Sequence, residues 1–184
     1  MRIVHTPDDP PAKGFYALLT ASVTPRPIAW VSTISADGVL NLAPYSFFTV
    51  ACTDPAILSV TSIGRKDTYR NVMETGEFVV NIGTESLMET MNATSAPVEP
   101  EVDEFEMQGL TPDPSDIVSP PRVAEAPIAF ECVRHDVVDL GNSAMLLGRV
   151  VSVTVDEEIM ADDGLPDFDI LLPPSRLGRH QWGY

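Results

Sequence analysis

The chain is poor in the residues that most often carry catalysis. Its 184 residues include two cysteines and three histidines. Cys52 and Cys132 are too few for a disulfide framework and too far apart for a zinc site. Each lies in an apolar run, Val50-Ala51-Cys52 and Phe130-Glu131-Cys132-Val133, and reads as a small, reduced core residue. His5, His135 and His180 are scattered without ligand-spaced neighbours, so no metal is implied. Basic side chains are scarce as well, 11 against 27 acidic, for a net charge of −16. Such a surface keeps the protein soluble and repels nucleic acid and anionic lipid headgroups, so neither is an expected partner. No stretch approaches the ~20 apolar residues of a membrane span. The opening Met1–Pro10 lacks the apolar core of a secretory signal, and a cytoplasmic protein is expected. Two nucleotide-binding patterns are also missing. There is neither a Gly-x-x-x-x-Gly-Lys loop nor a Gly-x-Gly-x-x-Gly fingerprint.

What is present points to one β-rich domain over residues 1–184. Ile28 to Ser35 is rich in β-branched residues and ends at Asp37-Gly38, a hairpin signal, with Val39 to Ala43 as the return strand. Phe47 to Cys52 and Ala56 to Ser62 flank a turn at Thr53-Asp54-Pro55, and Glu77 to Ile82 is a further strand. Ile128 to Val138 and Met145 to Val155 make a last pair around Asp139-Leu140-Gly141-Asn142. In the final strand the odd positions (Met145, Leu147, Val151, Val153, Val155) are large and apolar apart from Arg149, while the even ones are smaller or more polar. Period-2 burial therefore predicts the odd face inward.

Helices are few and short. Asp67 is placed to cap Thr68 to Thr75, with Gly76 closing its end. Thr84 is placed to cap Glu85 to Met91, and a third helix is read through Phe15 to Leu19. Residues 92–127 differ, with seven prolines, eight acidic residues and a single base, Arg122. This excursion reads as a cover over a site rather than as core, with a helical turn at Asp103 to Gln108. Many short strands with close turns suggest a closed or nearly closed antiparallel barrel.

The densest chemistry is Arg65-Lys66-Asp67-Thr68-Tyr69-Arg70-Asn71, where three of the 11 basic residues fall within six positions. They sit at a helix start, after a strand ending in Thr61-Ser62. Free N–H groups and the helix dipole favour an anion there. Arg65 offers a bidentate fork, Lys66 a point charge, and Ser62 and Thr68 hydroxyl donors. A phosphate site without either nucleotide motif suggests a mononucleotide. A second block, Asn41-Leu42-Ala43-Pro44-Tyr45-Ser46-Phe47-Phe48, pairs with Trp30-Val31-Ser32-Thr33. Ala43 and Pro44 allow close backbone approach, Trp30 and Tyr45 offer aromatic walls, and Ser32, Thr33 and Ser46 offer donors to a flat ring. The same residues also suit an ordinary hairpin in a sheet core.

Taken with Pro25-Arg26-Pro27-Ile28-Ala29 ahead of Trp30, these blocks in this order resemble the flavin reductase-like, FMN-binding split-barrel family, which includes flavoredoxin. Glu125-Ala126-Pro127, Gly148-Arg149-Val150 and Arg176-Leu177-Gly178 fit the resemblance too, which runs from about Phe15 to Gly178. It implies a mainly β, six-stranded antiparallel Greek-key split barrel, a homodimer, and FMN at or near the dimer interface. Trp30 to Thr33, Asn41 and Ala43 to Ser46 would border the ring and ribityl chain. Ser62, Arg65, Lys66, Asp67 and Thr68 would hold the phosphate. The family often continues Arg-Leu-Gly with another glycine, where this chain has Arg179.

The activity expected on this basis is NAD(P)H-dependent flavin reduction, with hydride passing from a transiently stacked nicotinamide to flavin N5. That reaction needs the orientation of two rings and no protein nucleophile, so no catalytic side chain is nominated. The alternatives are an electron carrier serving a redox protein partner, and a non-catalytic flavin-binding module.

Overall fold

A computed structural model describes residues 1–183. Strands β1 (Ala29–Ile34), β2 (Leu40–Tyr45), β3 (Phe48–Thr53), β4 (Ala56–Ile63), β5 (Glu77–Ile82), β6 (Ile128–Leu140) and β7 (Ser143–Val155) form one antiparallel sheet. The order is β2-β1-β5-β6-β7-β4-β3. The seven segments read as strands are these seven, one more than the resemblance implied. The end strands β2 and β3 are consecutive in the chain and joined only by Ser46 and Phe47, so the sheet must curl until its edges meet at that corner. No ladder runs between them, and the corner is tied down by the Thr61 amide donating to the Phe47 carbonyl at 2.8 Å. The result is a mainly β, split barrel.

The interior is filled by Ala29, Val31, Leu58, Val60, Phe78, Val80, Cys132 and Leu146. Gly148 is required there, because a Cβ at that position would lie 2.2 Å from Phe78 Cζ. Burial pushes the Cys132 thiol up to about 12, so it stays an uncharged packing group. Cys52 is not in this core. It sits half-buried on edge strand β3.

On the first half of β7 the expected facing is reversed: Ala144, Leu146 and Gly148 point inward, while Met145 and Leu147 are half-buried on the outside. A bulge at Val151 then resets the alternation, and Val153 and Val155 share the inward face with Phe130 and Ile128 as expected. The barrel is narrow, and Phe78 takes the volume that larger β7 side chains would need. The apolar face is left outside, continuous with exposed Val138 and Leu140 on β6 and Ile63 on β4.

Residues 92–127 are core rather than an appendage. Phe105, Val123 and Ala126 pack with Ile28, Trp30, Leu42 and Met91 into a second apolar cluster on the outer face of β1 and β2. Helix α4 (Glu104–Gln108) is capped by Asp103, whose carboxylate accepts from the Phe105 and Glu106 amides. The segment is held by buried side chains of the barrel. Glu131, fully buried, accepts from the amides of Asp116, Ile117 and Val118 at 2.7–3.1 Å. Asn81 Oδ1 accepts from the Val123 amide at 2.9 Å, and Ser32 Oγ donates to the Pro121 carbonyl at 2.6 Å. The other helices are α1 (Phe15–Ser22), α2 (Asp67–Thr75), α3 (Met88–Ala93) and α5 (Phe168–Leu171). Among the described residues, none is long and apolar enough to cross a membrane.

Candidate functional site

A cavity of about 600 Å³ opens where the N-terminus of α2 meets β2 and the beginning of the excursion. Its volume is typical of a cofactor site. Helix α2 follows β4 through Gly64, whose φ of +79° suits a residue without a Cβ, and it ends at Gly76 in the left-handed region. The capping residue at its start is Lys66, not Asp67, and no side chain bonds the first-turn amides. Asp67 lies inside the first turn and pairs with Arg70 instead. Those amides therefore have no side-chain partner, and they point into a cavity walled by Arg65, Lys66, Thr68 and Arg70. Hydrogen-bond donors, helix dipole and cations converge on one candidate anion site.

The cations are not equivalent. Arg65 donates to Asp139 at 2.5 Å and lies 5.1 Å from the Tyr69 ring centroid. Arg70 is turned back onto Asp67. Lys66 has no ion-pair partner among the described residues. Both arginine pairs are solvent-exposed and so weak enough to be exchanged for a ligand.

Asn41, Ala43, Pro44 and Tyr45 of β2 form the adjoining wall. Asn41 is fixed by donating to Thr33 Oγ1 and Thr68 Oγ1, each at 3.0 Å, which ties β2 to the start of α2. Tyr45 is buried beside the hydroxyls of Thr68 and Ser62, and burial raises its pKa. Its own hydroxyl is the one fully buried side-chain polar atom, among the described residues, that lacks a hydrogen-bond partner. Ser62 is buried behind the wall and donates to the Gly64 carbonyl, shaping the turn that presents Arg65. Ser46 lies on the far side of Pro44, where it borders two smaller cavities.

Trp30 to Thr33 are not in the cavity wall. Strand β1 is buried on both faces, and its backbone is paired with β2 on one side and β5 on the other. Trp30 packs in the outer cluster with its Nε1–H donating to Thr94 Oγ1 at 2.9 Å. Val31 fills the barrel interior. Ser32 secures the excursion, and Thr33 accepts from Asn41 and Asn71. These four hold up the wall from behind. An alternating motif beside a hairpin looks the same in sequence whether its face meets a ligand or a second core layer.

The sequence reading missed the opposite wall, formed by Thr94 to Val98, Pro100 and Glu104. Glu104 is only 5% exposed, and its Oε2 accepts from the Leu42 amide at 3.0 Å. Burial raises its pKa, against the lowering effect of that bond. The proline-rich composition signalled a cover, and the Asp103 cap signalled the helix. Nothing in the pattern marked Glu104 as facing inward.

Residues 21–169 match the flavin reductase like domain. The chain belongs to that family. It is 39% identical to nitrilotriacetate monooxygenase component B from Bacillus cereus, with a TM-score of 0.94, 100% of this chain and 95% of that one covered. It is 31% identical to 2-nitrobenzoate 2-nitroreductase from Pseudomonas fluorescens, with a TM-score of 0.89, covering 99% and 90%. Flavoredoxin of Desulfovibrio vulgaris is 26% identical, with a TM-score of 0.82, covering 87% and 86%.

Proposed function

We propose that this chain is an FMN-dependent oxidoreductase that takes its electrons from NAD(P)H. The observation that carries the reading is the side-chain-uncapped N-terminus of α2, opening with Lys66 and Arg65 onto a cavity of about 600 Å³. A phosphate monoester supplies the missing cap. Lys66 and the first-turn amides bind it, and Thr68 and Arg65 complete its shell. Asn41 and the Ala43–Tyr45 backbone border the ring and ribityl chain, and the Thr94–Pro100 segment limits access of water. When bound, FMN supplies a ring that accepts a hydride and passes electrons onward. The family and the oxidoreductase names of two similar solved structures support redox chemistry.

The reading includes a homodimer. The outer face of β7, with Val138, Leu140 and Ile63, is an apolar strip that a second copy would cover. Light scattering at micromolar concentration should give about twice the 20.0 kDa chain mass. A monomer with full FMN affinity removes the shared-interface site.

The phosphate site is tested by Lys66→Ala, which should weaken FMN by roughly ten- to a hundredfold, the loss of one charged hydrogen bond. Riboflavin has the ring without the phosphate, and its affinity should be unchanged, as should the melting temperature of the ligand-free protein. Equal weakening of both ligands places the phosphate elsewhere. Anaerobic bleaching of the bound flavin by NADH or NADPH tests the donor. Bleaching by neither, with reduction through a redox protein, makes the chain an electron carrier.

A further inference from the structure

A second cavity, of about 240 Å³, lies on the other side of Pro44 and Ser95, both of which also line the main one. Its wall contains Arg26, Arg176 and Arg179, three of the 11 basic residues in a chain with 27 acidic ones. No aspartate or glutamate lines it, and among the described residues none of the three forms an ion pair. Like charges gathered together repel one another, and an anion placed between them relieves that repulsion.

The arginines are held in place. Arg26 is 8% exposed, and its guanidinium donates to the carbonyls of Thr20 (2.5 Å), Val23 (2.6 Å) and Leu177 (3.3 Å) and to Ser46 Oγ (3.4 Å). Those acceptors orient the charge without neutralising it. Burial lowers its pKa, and so does the neighbouring charge of Arg176. Arg176 faces Arg26 in a two-residue ladder and lies over the Trp182 ring, 5.1 Å from its centroid. Arg179 has φ +61°, a left-handed conformation that favours glycine. An arginine occupies a strained position and lines this cavity.

The geometry points to a second substrate subsite: this pocket receives the carboxylate or phosphate of a small molecule whose flat ring extends past Pro44 into the main cavity. Guanidinium forks match both anions, and Trp182 and Tyr16 give aromatic surface beside them. The assignment rests on the flavin reading only for the role of the ring. Anion binding itself is independent of it.

The test is calorimetric titration of the FMN-saturated protein with 2′,5′-ADP, carrying a ribose 2′-phosphate, and with benzoate, with Trp182 fluorescence as a second readout. FMN affinity is measured in parallel. Wild type should bind at least one probe, more weakly as salt rises. Arg176→Gln and Arg179→Gly should each weaken that binding about tenfold or more, leaving FMN affinity within twofold. Arg179→Gly also relieves the backbone, so its melting temperature should hold or rise while binding falls, which a structural role for Arg179 would not give. Preference for 2′,5′-ADP identifies the phosphate of a nicotinamide dinucleotide, and preference for benzoate an acidic aromatic acceptor. Binding of neither probe, binding indifferent to both variants, or equal loss of FMN overturns the subsite. If the protein binds a probe but no FMN, the subsite stands and the flavin reading fails.

Discussion

The barrel and the excursion that wraps it are two cores built by different rules. The barrel interior is apolar side chains on regular strands, with Leu146, Val60 and Phe78 in one cluster and Phe78 packed against Gly148. The outer layer mixes a small apolar cluster with buried side-chain-to-backbone hydrogen bonds. Glu131 gathers three amides, Asn81 accepts from Val123, Ser32 donates to Pro121, and Glu104 accepts from Leu42. A ladder supplies its own hydrogen bonds, so the barrel needs only shape and apolarity. Residues 92–127 have little ladder, and their buried amides must find partners one at a time. Hydrophobic burial makes the barrel; specific polar bonds place the cover.

Removing residues 97–121 should have the largest effect, loss of the cooperative unfolding transition in urea, because it takes Phe105 from the Trp30 cluster, Glu104 from Leu42 and three amides from Glu131 at once. A shortened protein that still unfolds cooperatively would make the excursion a dispensable cover after all. Next come two shape-conserving substitutions. Leu146→Met in the barrel should cost under about 1.5 kcal/mol. Glu131→Gln turns an acceptor-only group into one that also presents donors to three amides, and should cost about 2–4 kcal/mol. Equal costs by denaturant titration would erase the distinction between the layers.

The smallest effect concerns Glu104. Its folded-state pKa is raised by burial, so the native state holds the proton to higher pH than the unfolded chain. The stability this contributes is complete below the ordinary value of 4.5 and is lost as pH rises through the raised one. Glu104→Gln should flatten that decline just above pH 4.5. An unchanged pH profile would mean the carboxylate is solvated.

Much of the barrel was legible in the sequence, because β-branched runs between Asp37-Gly38, Asp54-Pro55 and Gly141 specify strands and hairpins locally. The basic cluster before α2 was legible for the same reason. Which face of β7 turns inward was not, since that depends on the volume of Phe78 across the barrel. Nor was the fate of Trp30 to Thr33, whose second face is covered by residues some 60 to 90 positions later. The cap of α2 was misplaced by one residue, and that residue matters, because a bond from Asp67 to the first-turn amides would have closed the anion site.

Were a ligand to supply the cap of α2, the protein's heat resistance would be tied to what is dissolved around it. Any anion that settles on the first turn of α2 draws the folding equilibrium toward the native state in proportion to the logarithm of its concentration above its dissociation constant. Phosphate or sulfate buffer then acts as a weak competitor and a weak stabiliser together. A melting temperature measured in phosphate would then belong to a partly capped molecule, and the same chain in a chloride medium should melt earlier.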